Sequence, residues 1–216
     1  ISWPKEYGGL ERSLIDQYIF SEEMGRQSLS YNATAVNMVG PTIMRVGTDD
    51  QKAEWLPKML SGDVDCSLGY SEPGAGTDLA GLSTQAVLDG DDYVVNGQKM
   101  YTSAAHYATH IYMMCRTDPD APRHRGITIF LIPMDTPGIT VRPLWTIQSD
   151  PPAPVGTTYG MPRTNEVFFE NVRIPVSTML GEENQGWYVG AMGLNLDRVG
   201  ASRYLISVRR DEDIIN

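Results

Sequence analysis

The residues best suited to chemistry lie together in Tyr70-Ser71-Glu72-Pro73-Gly74-Ala75-Gly76-Thr77-Asp78, directly after a stretch with strand character. Glycines and small side chains let a backbone approach a ligand closely and present N–H groups as donors. Ser71 and Thr77 add hydroxyls that suit carbonyl, ring-nitrogen or phosphate-oxygen partners. By residue type alone, the same segment also reads as a tight turn between strands. A dinucleotide fingerprint does not fit, because no third glycine follows Gly74 and Gly76 in the required place and no strand–helix–strand pattern surrounds them. Further along comes Val95-Asn96-Gly97-Gln98-Lys99-Met100-Tyr101-Thr102-Ser103-Ala104. A hairpin ending in an aromatic ring and two hydroxyls is common, and these residue types say little by themselves.

The soft ligands are few. Cys66 and Cys115 each sit among apolar residues of a strand-like stretch and are expected to be buried, reduced thiols. His106 and His110 have the spacing of a helical metal pair, but no glutamate follows His106, and Thr109-His110-Ile111-Tyr112 reads as the start of a strand. No metal site is expected.

The elements that must position these residues divide into three textures. Residues 11 to about 60 are helical in pattern: Leu14, Ile15, Tyr18, Ile19 and Met24 form an apolar stripe, with Glu22, Glu23 and Arg26 on the other side. Thr48-Asp49-Asp50-Gln51 is a candidate capping box for a helix carrying Trp55 and Leu56, and Pro57 is expected to break or kink it. From about residue 63 the period changes to two. Thr84–Leu88 and Tyr93–Val95 flank the turn signal Asp89-Gly90-Asp91-Asp92, and Asn96-Gly97 is expected to turn the chain again into Gln98–Thr102 as a meander. His110–Arg116, Gly126–Ile132, Ile139–Arg142 and Glu166–Phe169 add strand candidates with no helical pattern between them, so the sheet is expected to be antiparallel. Thr117–Arg125 and the proline-rich Trp145–Arg163 read as loops, and Pro151-Pro152-Ala153-Pro154 has no evident role. After Pro175 the pattern is helical again from Trp187, ending in an interrupted helix over Arg209–Asn216.

A hydrophobic fraction of 41% with 20% charged residues implies a globular fold. The net charge of −10 argues against nucleic-acid binding, which leaves a basic footprint. No apolar run is long enough for a membrane span, and Ile1-Ser2-Trp3-Pro4-Lys5 has neither part of a signal peptide.

Taken in order, several motifs resemble the acyl-CoA dehydrogenase family. Ser-Glu-Pro-Gly-Ala-Gly-Thr-Asp at 71–78 and Asn-Gly-Gln-Lys-Met-Tyr-Thr-Ser at 96–103 are similar to paired motifs of its central β domain. Trp3-Pro4-Lys5-Glu6-Tyr7-Gly8-Gly9 and the stretch from Gln51-Lys52 to Leu56-Pro57-Lys58 resemble landmarks of its N-terminal helical domain. Asp135-Thr136-Pro137-Gly138-Ile139, Phe168–Pro175 and Gly186-Trp187 resemble later ones. The resemblance covers essentially the whole chain.

It implies an α+β fold: an N-terminal helical domain (1–62, incomplete at its start), an antiparallel, flavin-facing β domain (63–175), and a linker with the first helix of a truncated C-terminal four-helix domain (176–216). It implies FAD as cofactor, with Leu68, Tyr70, Ser71, Gly76, Thr77, Tyr101, Thr102 and Ser103 along the flavin. Thr77 would also touch the acyl-CoA substrate, and Asn195 and Arg198 would lie near it, unless they belong to a solvated helix face. Tyr101 departs from the family's tryptophan and covers a flavin less fully, while Leu68 departs from an aromatic found in some members. The reaction implied is α,β-dehydrogenation of an acyl-CoA thioester to the trans-2-enoyl-CoA. The catalytic glutamate is expected beyond Asn216; Glu72 matches a structural position, and the 216-residue piece alone is expected to be nearly inactive. An electron-transfer flavoprotein or similar acceptor is implied, with a homo- or hetero-tetramer in the cytoplasm, or in the mitochondrial matrix of a eukaryote. Two alternatives stay open: a flavin-dependent monooxygenase of the same fold, and a non-catalytic subunit of a heteromeric dehydrogenase.

Overall fold

The computed structural model describes residues 1–27, 33–146 and 164–198. The proline-rich stretch from 147 to 163, with Pro151, Pro152 and Pro154, and the segment from 199 to 216 that includes the interrupted helix both lie outside these residues. The chain forms two compact units, Ile1–Asp65 with Ala191–Asn216, and Cys66–Gly190.

In the helical unit, α1 (Leu14–Arg26) begins with a capping box between Ser13 and Asp16. The apolar stripe read from its sequence is exposed over its first turns among the described residues, Leu14 at 81% and Ile15 at 72%, and only its last member Met24 is half-buried; Gln17 and Ser21 are turned inward instead. A π-helical turn (Ala35–Val39) leads into α2 (Gly40–Val46). The α3 helix (Asp49–Ser61) opens with the capping box expected at Thr48 and Gln51. It also runs on as one helix through Pro57, so the break that this proline could have imposed does not occur. Pro57 is exposed, as is Ala53, whose carbonyl has no N–H donor four residues on, while buried Trp55, Leu56 and Met59 hold the helix on either side of the proline. Trp3 explains the opening aromatic-glycine motif: its indole is buried and donates to the Val36 carbonyl at 3.0 Å. A Cβ at Gly40 would come within 2.3 Å of its ring.

The second unit is built on β1 (Cys66–Gly69), β2 (Gln85–Asp89), β3 (Asp92–Ser103), β4 (His110–Arg116), β5 (Ile127–Pro133), β6 (Ile139–Leu144), β7 (Thr164–Pro175) and β8 (Met179–Leu180). They form one sheet in the order β6-β7-β3-β2-β4-β5-β8, with β1 beside β4. Pairing is mostly antiparallel, as expected, but β1 runs parallel to β4 in the register Cys66↔His110 to Gly69↔Met113, and β2 meets β4 in a single parallel bridge. The long excursion through the glycine loop and the β2–β3 hairpin returns the chain in the direction it left, which a short turn cannot do.

The Asp89-Gly90-Asp91-Asp92 hairpin forms as read, but Asn96-Gly97 is not a turn. β3 continues through it, with a register shift against β7 between Val95 and Gly97, and the Asn96 Oδ1 accepts the Asn171 N–H at 2.8 Å. Gly97 lies at φ 149°, and a Cβ there would sit 2.6 Å from the Thr84 hydroxyl and 2.7 Å from its Cα. The glycine serves close approach of β2 and a bulge rather than chain reversal. Both cysteines are buried thiols outside any disulfide, as expected. The core gathers Tyr93, Val95, Ile111, Met113, Cys115, Phe130, Ile132 and Phe169. β4 and β5 are buried on both faces, the second face meeting the first turns of α4 (Gly186–Arg198), where Gly190 packs on Met114. From Ala191, α4 groups with the helical unit, Gly193 lying against Met38 and Thr42. Among the described residues, no helix is long and apolar enough to cross a membrane.

Candidate functional site

Strand β1 delivers the chain into the glycine loop. Leu68 is half-buried and Tyr70 buried, Ser71 is half-buried, and Gly76 and Thr77 are exposed. The loop closes on itself through a reciprocal pair of backbone hydrogen bonds between Glu72 and Ala75, at 2.9 and 3.1 Å. An added Cβ at Gly74 or Gly76 would meet nothing within 4 Å, so these glycines are not required by packing within the chain. Among the described residues, none of the N–H groups of Gly76, Thr77 and Asp78 donates to a backbone carbonyl. The outer rim of the loop therefore offers open space and unspent donors.

The second segment, at the end of β3, is joined to the loop directly: the Met100 N–H donates to the Ser71 carbonyl at 2.8 Å. Tyr101 is 59% exposed and held at φ 58°, and Ala104 at φ 65°. Two left-handed non-glycine residues this close together mark a strained backbone of the kind that clusters at working sites. The register of β3 against β7 slips here, between Lys99 and Thr102. Ser103 is exposed, whereas Thr102 is fully buried and its hydroxyl has no hydrogen-bond partner among the described residues. The Thr102 carbonyl accepts from Asn165 at 3.1 Å, and the same amide contacts His106 Nδ1 at 3.1 Å.

Beneath the loop lies a charge that sequence reasoning missed. Lys99 has no exposed surface, and its Nζ is 2.8 Å from Glu72 Oε1 and 3.2 Å from the Tyr70 carbonyl. Glu72 is also buried and accepts from the Ser83 N–H at 2.6 Å, the Ser83 hydroxyl at 2.9 Å and the Thr84 N–H at 2.9 Å. Burial alone would raise its carboxyl, but the Lys99 charge, with hydrogen bonds from Lys99, Thr84 and Ser83, more than offsets that and brings it down to about 2. Burial pushes the Lys99 ammonium down from its ordinary range while Glu72 pulls it back up. The pair is an ammonium on a carboxylate: a carboxylate ringed by donors stays ionised, and it holds the charge opposite. Burial also pushes the neighbouring Cys115 thiol up to about 12, which keeps it protonated and inert. Strand alternation from buried Tyr93 and Val95 carries Lys99 inward only because β3 runs on through Asn96-Gly97, a dipeptide that reads as a turn and hides the periodicity.

The structure thus ties Tyr70 and Ser71 to β3 immediately before Tyr101, Thr102 and Ser103, with Leu68 preceding them on β1 and Gly76 and Thr77 on the exposed rim of the loop. Asn195 is exposed on α4, in the other unit. Arg198 is the last helical residue described, and its side chain lies outside the described residues.

Residues 67–172 match the model of the acyl-CoA dehydrogenase middle domain, and residues 1–63 that of the acyl-CoA dehydrogenase N-terminal domain. Acyl-CoA dehydrogenase FadE26 of Mycobacterium tuberculosis is 46% identical over 202 residues, which cover 92% of this chain and 48% of that protein. The solved structure described as "Tcur3481-Tcur3483 steroid ACAD" superposes with a TM-score of 0.88 at 42% identity, over 99% of this chain and 53% of that one. The ChsE4-ChsE5 complex from Mycobacterium tuberculosis gives a TM-score of 0.79 at 45% identity, over 90% of this chain and 48% of that one. The chain spans about half the length of the relatives it matches.

Proposed function

The chain belongs to the acyl-CoA dehydrogenase family, and from that premise we propose that the whole protein converts an acyl-CoA thioester to the trans-2-enoyl-CoA with FAD as cofactor. The observation that carries this is the meeting of the open glycine loop with Tyr101–Ser103, tied by the hydrogen bond from Met100 to Ser71.

The residues present fit a flavin. The glycine loop leaves room beside Gly74 and Gly76 and keeps N–H donors from Gly76 to Asp78 for a ligand. The exposed Tyr101 ring and Ser103 hydroxyl stand ready for an aromatic face and a polar edge. Leu68, Tyr70, Ser71, Gly76, Thr77, Tyr101, Thr102 and Ser103 would hold the group, which when bound supplies the acceptor for the β-hydride. Thr77, exposed on the rim, would face both cofactor and thioester, and Asn195 and Arg198 would serve the substrate side. Donors aimed at the thioester oxygen stabilise the enolate-like charge that forms as the α-proton leaves. Glu72 does not take that proton. It is buried, fully hydrogen-bonded and held ionised by Lys99, so it has neither the access nor the basicity of a general base. The base is assigned to the part of the family's length that this chain does not span.

The names of two structural neighbours refine the reading: one is a steroid enzyme, and both pair two different proteins. A steroid acyl-CoA as substrate and a hetero-oligomer as the working assembly are proposed accordingly, with an electron-transfer flavoprotein or similar acceptor taking the electrons. Anaerobic titration of the purified whole protein with acyl-CoA thioesters tests this. Bleaching of the visible flavin band by a steroid acyl-CoA thioester, in preference to a short branched one, is expected. Absence of bleaching by any thioester, with and without a partner subunit, would overturn the dehydrogenase reading.

A further inference from the structure

We infer that Lys99 is a positioning residue for the glycine loop, fixing the path of residues 70–77 so that their outer rim keeps one shape for the flavin. The inference rests on the flavin-facing reading of that loop.

A loop whose glycines face open space has no side-chain packing on that side to define it. Its shape must be imposed from beneath, and three attachments are available there. The Lys99 ammonium donates to the Tyr70 carbonyl, where the loop leaves β1, and to Glu72, two residues on. Between them, the Ser71 carbonyl accepts from the backbone of Met100, the residue next to Lys99. Three consecutive loop residues are thus tied to two consecutive residues of β3, immediately before the strained Tyr101. Glu72 in turn holds Ser83 and Thr84, at the entry to β2, through three donors. A buried lysine is costly to desolvate, and a hydrophobic pair of similar volume often stabilises as well or better. A lysine here is therefore explained by what its two donors hold in place, rather than by stability alone.

This separates positioning from simple charge neutralisation. In Glu72→Gln, a Lys99 amine that has lost its proton still donates to the Tyr70 carbonyl. In the Glu72→Gln/Lys99→Met double variant no buried charge is left unpaired, yet the Tyr70 carbonyl loses its donor. The experiment uses the whole flavin-loaded protein and follows release of FAD on dilution, by the fluorescence of the freed flavin, beside thermal melting by circular dichroism. The expected result is release within about threefold of wild type for Glu72→Gln and at least about tenfold faster for the double variant, the scale of one lost buried hydrogen bond. Equal release from the double variant and wild type would overturn the inference. Hydrogen exchange on the wild-type holoprotein needs no variant: the Met100 amide should exchange as slowly as amides paired within β3. Exchange as fast as at Gly74 or Gly76 would mean that the loop is not held to β3, and would equally overturn it. A wild-type protein that binds no FAD would instead refute the function proposed above.

Discussion

At the scale of single residues, the buried Lys99–Glu72 pair is the most consequential feature of the site. Removing one partner alone leaves an uncompensated buried charge, so Lys99→Met is expected to cost about 3–5 kcal/mol in urea unfolding. Adding Glu72→Gln should restore most of that. The pH dependence follows from the sign of the Glu72 shift. Its folded carboxyl titrates near 2 against an ordinary value of 4.5, so the pair's contribution is fully present above about pH 4.5 and is lost as pH falls toward 2. The stability gap between wild type and the double variant should change across that window and stay level between pH 5 and 7; a gap that is flat down to pH 2.5 would contradict the assignment. Glu72 was legible in the sequence as a structural residue within a motif. Its partner was not, because a lysine flanked by Gln98 and Met100 looks like a solvated strand position until the fold buries it.

At the scale of elements, glycine has opposite meanings in two places. Gly97→Ala would drive a methyl group into Thr84 at a backbone angle unsuited to alanine, and should lower stability by about 2–3 kcal/mol in thermal or urea melts. Gly74→Ala has open space around it and should change stability by less than about 0.5 kcal/mol while weakening FAD binding. A Gly74→Ala variant that melts early would show the glycine to be structural. The capping box of α3 is an independent local device, and Thr48→Ala should cost about 1 kcal/mol without altering the flavin spectrum. Local signals of this kind were readable: both the Thr48–Gln51 box and the Asp89–Asp92 turn form as expected. Asn96-Gly97 misled because its dipeptide type favours a turn, whereas the length of β3 and its pairing with β7 are decided by strands distant in sequence. Pro57 does not break its helix for a related reason, since packing of Trp55, Leu56 and Met59 outweighs one missing hydrogen bond on an exposed face.

For the whole molecule, the proposed hetero-oligomer makes a prediction of its own. Co-expressed with its partner subunit, the whole protein should elute as one species containing both chains with FAD bound, by light scattering and flavin absorbance. A flavin-saturated assembly of one kind of subunit would refute the heteromeric reading. What the sequence by itself determined was the family, the α+β order and the location of the loop, because motifs, turn chemistry and hydrophobic period are local properties written residue by residue. Only the tertiary structure decided that β1 lies parallel to β4, that the apolar stripe of α1 stays open among the described residues, and that Lys99 is buried beneath the glycine loop. Those outcomes depend on which distant segments meet. The energy of burying a charge or pairing a strand belongs to that encounter, not to the residue that makes it.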